Sequence, residues 1–392
     1  MASRDRSRLL RLGWNAGRYA LGPLAGVVFP WVVIHHASKA LWGEVVSVMV
    51  MVQLAAHVLN WGSKDMLLRS FAREPGNIAQ LWWNSVATRL VLALPVTAAL
   101  VVMSIINMRD PVPALAWMLL LFLTGCFDAL VIQHKRFAAS FIIDAVGLAV
   151  QVFGLLLAPA LSAERTIHWV LIGQACRLLM LAVVFRRDLS AHPRFDVRTH
   201  IVAAFPFFLI GLSGLLGSRM DLYTMTALVD HDTLGVYQVV AALFVQLQAV
   251  AALISTPFTR ELYRMRDASV RKAATRLGKA GLLLLPVFAL IAWGTFTILF
   301  HFDLGPLTYV LGMLIAWPAF AYVPLITWLY RSGHERAVLL ANFAAAALGL
   351  SLAVILVPRL GINGALLGAA CGQWLVLVIV VRTSRRASDA MS

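Results

Sequence analysis

Apolar runs of roughly 20 residues recur along this chain, separated by short polar gaps, and that is the length a helix needs to cross about 30 Å of hydrocarbon. Twelve such runs are read, at about residues 14–34, 45–61, 84–106, 113–133, 138–159, 167–185, 201–222, 237–257, 280–300, 307–330, 337–357 and 364–381. Within several of them the few polar and small residues fall at helical spacing, so each forms one face. Asp144, Gly147, Gln151 and Gly154 make such a stripe, as do Gln174 with Arg177, Asn15 with Arg18 and Gly22, and Gly211 with Gly214, Ser218 and Asp221. A face of this kind does not point at lipid; it lines a watered cavity or packs closely on another helix. Gly364, Gly368 and Gly372 form a further small-residue face, read as packing, and the glycines at 211, 214 and 217 suggest a bend or break in the seventh run.

Composition agrees: 61% of residues are hydrophobic, 13% are charged and mean hydropathy is +0.83, which excludes an ordinary soluble core. The fold class expected is therefore an all-α integral membrane protein with twelve transmembrane helices. Charge then orients it. Of the 33 Lys and Arg, Lys39, Arg109, Arg165 and Arg359 fall in the gaps of one side, and Arg18, Arg89, Arg177 and Arg219 lie within runs. All 25 others fall in the termini or in gaps of the opposite side, which the positive-inside rule assigns to the cytoplasm, together with both termini. The net charge of +15 is thus a signature of topology, and with the cations dispersed among short loops no nucleic-acid partner is expected. The arginines at 4, 6, 8 and 11 precede an apolar run longer than a signal-peptide core with no clean cleavage site after it, so the first run is expected to remain as a span.

The polar stretch 186–200 separates six runs from six. The expected division is an N-terminal lobe at 1–190, a linker at 191–200, and a C-terminal lobe with a short tail at 201–392. A shift of 195 residues superposes Trp42 on Tyr237, Gln53 on Gln248 and Arg69 on Arg264. With equal span counts and like orientation in each half, this suggests two six-helix lobes related as parallel repeats, a plan that transporters use to rock about a central site. The segment 258–279, rich in Arg and Lys, is amphipathic and reads as a helix on the anionic inner leaflet, either as a solvated positive-inside loop or as a recruiter of headgroups.

Seven ionisable groups lie inside the runs: Arg18, Arg89, Asp128, Asp144, Arg177, Arg219 and Asp221. Each costs about 2.5–3.5 kcal/mol near mid-membrane on insertion scales and so requires a partner, water or an interface. Depth counted at 1.5 Å per residue puts Asp128 and Asp144 at similar levels, Arg177 somewhat deeper, and Arg18 and Arg89 near enough to the inner surface to snorkel. Two readings stand side by side. Arg89, Asp128, Asp144 and Arg177 form internal salt bridges that pin helices together, or they line a cytoplasm-facing cavity where guanidinium forks hold an anionic headgroup. In the second reading Asp128 or Asp144 can instead take a coupling proton or sodium ion. Arg219 lies about 200° around its helix from Asp221, so a straight helix does not turn both into one cavity.

Enzyme signatures are missing: there is no H-E-x-x-H, no Walker loop, no G-x-S-x-G and no loop acid pair. The cysteines Cys126, Cys176 and Cys371 fall within runs, as packing residues, and His35 and His36 are adjacent at the end of one, poorly placed to share a metal. No enzyme activity, cofactor or metal site is expected.

Two stretches resemble the polysaccharide (O-antigen-type) flippase branch of the multidrug, oligosaccharidyl-lipid and polysaccharide exporter superfamily. One is Leu41, Trp42, Gly43 and Glu44 entering the second run, followed by Gly62 and Arg69. The other is SRMDLYTMTALVDHDTLGVYQVVAAL at 218–243, where Asp221, Leu234, Gly235 and Tyr237 match an acid late in helix seven followed by Leu-Gly-x-Tyr; Pro257 and the turn at 361–365 also fit. The resemblance implies two six-helix lobes that move an undecaprenyl-pyrophosphate-linked oligosaccharide across a bacterial inner membrane by alternating access. Its substrate-binding residues here would be Arg18, Arg89, Arg177 and Arg219, with Asp128, Asp144 and Asp221 as coupling or cavity acids. Membrane lipids, and a polysaccharide polymerase or assembly proteins, are the partners it implies. Relatives that flip the peptidoglycan precursor usually carry two further helices, which points away from that substrate. A proton- or sodium-driven exporter of small amphiphiles and a membrane-embedded polyprenyl-phosphate transferase are the alternatives.

Overall fold

The computed structural model describes residues 2–106, 110–190, 197–255, 262, 265 and 267–389. At 2–13, 15, 16, 18–20, 105, 106, 190, 197, 267 and 387–389 the description stops at the backbone. The described chain is helical and holds no strand. In order, the helices are α1 (Ala2–His36), α2 (Lys39–Asn60), α3 (Ser63–Arg73), α4 (Ile78–Ile106), α5 (Pro111–Cys126), α6 (Asp128–Gln133), α7 (Phe137–Leu157) and α8 (Ala163–Val184). There follow α9 (Val197–Leu228), α10 (His231–Ser255), α11 (Asp267–Trp293) with a π-helical turn at Gly294–Leu299, α12 (Pro306–Ala316), α13 (Pro318–Arg331), α14 (Glu335–Leu360) and α15 (Ile362–Asp389).

Eleven helices or helix pairs among the described residues are long and apolar enough to cross a membrane, and α1 contributes the shorter apolar stretch Leu21–His36. The large side chains that remain uncovered are apolar: Leu94 is 75% exposed, Leu157 81% and Leu283 81%. In water this would be a liability; in hydrocarbon it is the expected surface, because lipid tails solvate Leu as well as a protein core does.

Several spans are interrupted at particular residues. Asn60 ends α2, Trp61 and Gly62 both adopt left-handed conformations (φ 43° and 64°), and α3 leaves at a new angle. The fourth span breaks at Phe127 between α5 and α6, and the tenth at Trp317 between α12 and α13, where Pro318 withholds an amide hydrogen from the helix ladder. The seventh span does not break: α9 runs continuously through Gly211, Gly214 and Gly217, since nothing there withholds a backbone donor.

By internal packing the chain forms two compact units, Met1–Leu212 and Ser213–Ser392, so the division falls inside α9. Of the expected linker, residues 191–196 lie outside the described residues, while 197–200 already belong to α9. The first half of α9 is held in the first unit by an aromatic cluster. Trp61 stacks on Phe208 with ring centres 4.1 Å apart, and its indole N–H donates to the Ile201 carbonyl at 3.1 Å. In the second unit α14 and α15 pack along their length through small residues. A Cβ at Gly368 would lie 2.8 Å from the Gly349 carbonyl oxygen, and one at Gly372 would lie 3.1 Å from that of Ala345. The expected packing role of the Gly364, Gly368 and Gly372 face is therefore observed.

The expected surface helix at 258–279 takes a different form. Residues 256–261, 263, 264 and 266 lie outside the described residues, and from Asp267 the chain is the first turns of α11, continuous with the membrane span. Apolar residues follow the cationic turns without a breaker, so helix propagation carries through.

Asp230 caps α10, accepting from the Thr233 amide at 2.9 Å and the Thr233 hydroxyl at 3.0 Å. Those two bonds, the backbone one foremost, hold its carboxyl below the usual carboxylate range. Asp230→Ala is expected to cost about 0.5–1 kcal/mol near neutral pH, a typical cap loss. A depressed native pKa makes this contribution complete above the unfolded carboxylate pKa of about 3.9 and removes it as pH falls through the native value. Melting curves of variant and wild type should therefore converge in acid.

Candidate functional site

In the first unit, α1, α3, α6, α7 and α8 surround an open cavity of about 400 Å3. Its polar lining is Lys64, Asp128, Asp144, Gln151, Gln174 and Arg177, and Gly22 of α1 lies at its edge. The pattern that placed Asp144 and Gln151 on one face of α7 and Gln174 and Arg177 on one face of α8 is what brings them together here. The two helices approach so closely that Gly147 and Gly173 face each other. A Cβ on Gly147 would strike the Arg177 stem, and one on Gly173 would stand 2.8 Å from the Gly147 carbonyl oxygen. Farther along, Gly154 makes room for the Trp169 ring, and the Gln151 amide donates to the Val170 carbonyl at 3.3 Å. The stripe thus does both of the things expected of such faces: it packs along most of its length and opens into the cavity at Asp144.

Arg177 is organised by three hydrogen bonds to two residues. Its Nη2 donates to Asp144 Oδ1 at 2.5 Å, its Nε to the same oxygen at 3.0 Å, and its Nη1 to Gln174 Oε1 at 2.9 Å. Ser140 donates to the other oxygen, Asp144 Oδ2, at 3.5 Å. The pair is not sealed off: the side chains are 27% and 17% exposed on the cavity wall. A guanidinium so placed is pre-oriented and reachable by a second anion.

Lys64, in the first turn of α3, was not singled out from the sequence, where it reads as one more inner-loop cation. The left-handed pair Trp61–Gly62 turns α3 so that Lys64 reaches the cavity, and the glycine after an apolar run was the available signal.

Arg18 lies in α1 four residues before Gly22, one helical turn from the cavity edge; its side chain is outside the described residues. Arg89 is elsewhere, and the expectation that it snorkels to the surface is overturned. It is 2% exposed, with Nε donating to the Ser85 carbonyl at 3.2 Å, Nη1 to Asn60 Oδ1 at 3.3 Å, and its guanidinium 5.2 Å from the centre of the Phe122 ring. It ties α4 to α2 and α5. The reason is rotational: its helix face turns toward α2 and α5, and no depth count reports that.

The second unit holds a smaller polar site. Asp221 of α9 accepts a hydrogen bond from the Tyr237 hydroxyl of α10, whose side chain is fully buried. Beside them Gln248 donates to the Tyr322 hydroxyl and to Gln373 Oε1, each at 2.8 Å, and Tyr322 donates to the same Gln373 oxygen at 2.9 Å. Asp221, Ser218, Gln248 and Gln373 border a void of about 30 Å3 walled by Gly217, Gly349, Gly368 and Gly372. That is room for one water or one small ion. Arg219 is not among its lining, as the 200° offset from Asp221 on the helix implied. Tyr237 and Gln248 came out of the sequence as repeat matches of Trp42 and Gln53; that Tyr237 holds Asp221 did not. Among the described residues no cluster of His, Cys, Asp or Glu could hold a metal, and the three cysteines are free thiols within helices.

Solved structures share the fold of this chain. An inward-facing multidrug resistance MATE family transporter of the MOP superfamily aligns over 96% of this chain and 98% of its own, with TM-score 0.66 and 11% identity. The lipid II flippase MurJ, in an inward closed conformation, aligns over 96% of this chain and 87% of its own, with TM-score 0.74 and 10% identity. The MATE multidrug transporter DinF-BH, in complex with R6G, aligns over 97% and 94%, with TM-score 0.61 and 15% identity. The chain therefore shares the all-helical fold of these structures. No protein-family model matches the chain, and no curated protein sequence does.

Proposed function

We propose that this protein is a flippase that moves an oligosaccharide linked to undecaprenyl pyrophosphate across a bacterial inner membrane by alternating access. The observation that carries this reading is the cavity of the first unit, where the Arg177 fork stands on an open wall beside Lys64. A planar guanidinium meets phosphate oxygens two at a time and keeps its charge when partly dehydrated, and Lys64 adds a point charge. The Asp144 carboxylate accepts from the same donors. Headgroup phosphate and Asp144 therefore compete for Arg177, so binding releases Asp144 to accept a proton and departure restores the pair. Translocation breaks no covalent bond; it needs two states of similar free energy that the ligand biases.

Coupling is assigned to Asp221. One carboxylate oxygen takes the Tyr237 hydroxyl, and the void beside it suits a proton carried by water, or a sodium ion, but no substrate. Asp221→Asn is expected to abolish ion-driven accumulation while leaving downhill exchange of substrate measurable in proteoliposomes with an imposed proton or sodium gradient. Equal accumulation by variant and wild type would remove Asp221 from the coupling path.

The likeness to MATE transporters favours a second reading, an ion-driven exporter of small amphiphiles. The experiment that separates the two offers proteoliposomes either a polyprenyl-pyrophosphate oligosaccharide with a tagged headgroup or a lipophilic cationic dye. Headgroup translocation without dye transport supports the flippase; dye transport alone overturns it.

A further inference from the structure

The cations of α11 divide between two faces of that helix. Lys272 and Arg276 border one open groove beside Leu262 and Pro324, and among the described residues no second helix adds a cation to it. Arg271 and Lys279 border another, of about 360 Å3, on the side facing α13 and α15, and there Arg385 of α15 joins them. Among the described residues no acid lines it. The groove is built: Arg271 Nη2 donates to the Ser384 carbonyl at 3.2 Å, Trp317 Nε1 donates to the Gly278 carbonyl at 3.0 Å, and Gly278 admits Ala321. Lys279 and Arg385 are exposed and make no part of that bracing.

The level of the groove says what fills it. Lys279 immediately precedes the run AGLLLLPVFALIAW and Arg385 follows the apolar run that ends near Val381, so both sit where the bilayer changes from hydrocarbon to headgroup. Below them the wall is apolar and faces outward: Leu282 lines the groove and is 50% exposed, and the next residue, Leu283, is 81% exposed. A free anion would find cations here but no use for that wall. A phospholipid uses both.

We propose that this groove is a binding site for one anionic phospholipid, its phosphate held by Lys279 and Arg385 with Arg271 behind them, and an acyl chain lying along Leu282. Cations from two helices on one groove and an apolar track give charge complementarity at the right depth. A general positive-inside field would not distinguish the two faces of α11. The site is independent of the transport reading.

Native mass spectrometry of the full-length protein, released from nanodiscs of phosphatidylglycerol and phosphatidylcholine, tests it. Wild type is expected to retain one phosphatidylglycerol in preference to phosphatidylcholine. The double variant Lys279→Gln with Arg385→Gln should lose that preference by about tenfold or more, the scale of removing two interfacial cations. The matched double variant Lys272→Gln with Arg276→Gln, equal in charge change, should keep it, and Lys279→Arg should keep it too. Equal loss in both double variants would overturn the site in favour of diffuse attraction. Displacement of the lipid by millimolar inorganic phosphate would overturn the lipid as occupant, because a free anion would then suffice.

Discussion

Arg177→Ala should lower headgroup translocation in proteoliposomes by about 10- to 100-fold, the worth of one or two charge-assisted hydrogen bonds to phosphate. The substitution also leaves Asp144 without its bonds from Nε and Nη2 and Gln174 without its bond from Nη1. Because both side chains of the ion pair are partly exposed to the cavity, the stability loss is expected to stay near 1–2 kcal/mol, below that of a sealed pair. Asp144→Asn should act in the opposite sense on binding. It relieves the competition for the guanidinium, so headgroup affinity rises while turnover falls, since the exchange that releases substrate is lost. Arg89→Ala supplies the contrast: a buried brace between helices is removed, so thermal stability falls and the affinity of the protein that remains folded is unchanged. Wild-type transport by Arg177→Ala would end the proposal that this cavity holds the phosphate.

Gly62→Ala should destabilise the first unit by about 2–4 kcal/mol, read as a drop of several degrees in the melting temperature of the purified protein. The residue sits at φ 64°, where an L side chain is strained. A Cβ there would also lie 2.6 Å from the Phe207 carbonyl carbon and 2.7 Å from Phe207 Cβ, and still nearer the Phe208 amide. Backbone atoms cannot swing aside, so α9 itself would have to move away from the Trp61 stack. Gly76→Ala, at a position with nothing within 4 Å and no positive φ, should leave the melting temperature within a degree of wild type.

The repeat found in the sequence came through unevenly. Trp42 and Tyr237 lie in the first two turns of α2 and α10 and are both buried, at 3% and 0% exposure. Trp42, however, packs edge-on against Phe29, whereas Tyr237 gives its hydroxyl to Asp221. The third match, Arg264, lies outside the described residues. Residues matched in sequence can share a level on their helices and still meet different partners on the neighbouring ones.

The candidate site was legible to the extent that its residues share helix faces. Asp144 with Gln151 and Gln174 with Arg177 could be grouped because spacing along one helix fixes direction. That α7 and α8 meet through Gly147 and Gly173, and so close Arg177 onto Asp144, required the neighbouring helix. Lys64 and Arg89 show the same limit from both sides: a loop cation was turned inward to the cavity, and a span cation was turned away from it.

What the sequence alone determined is which stretches are helical and, within a few residues, which of them are long and apolar enough to cross a membrane. Solvation in lipid depends on each residue's own side chain, and a backbone in hydrocarbon must satisfy its hydrogen bonds locally, so a linear pattern is enough. What only the tertiary structure decided is the partnering: Arg177 with Asp144, Asp221 with Tyr237, Arg89 inside the packing, and a unit boundary within α9 rather than at the polar stretch before it. Those outcomes depend on how one helix is rotated against another, which small-residue contacts and left-handed turns set in three dimensions and which hydropathy does not encode.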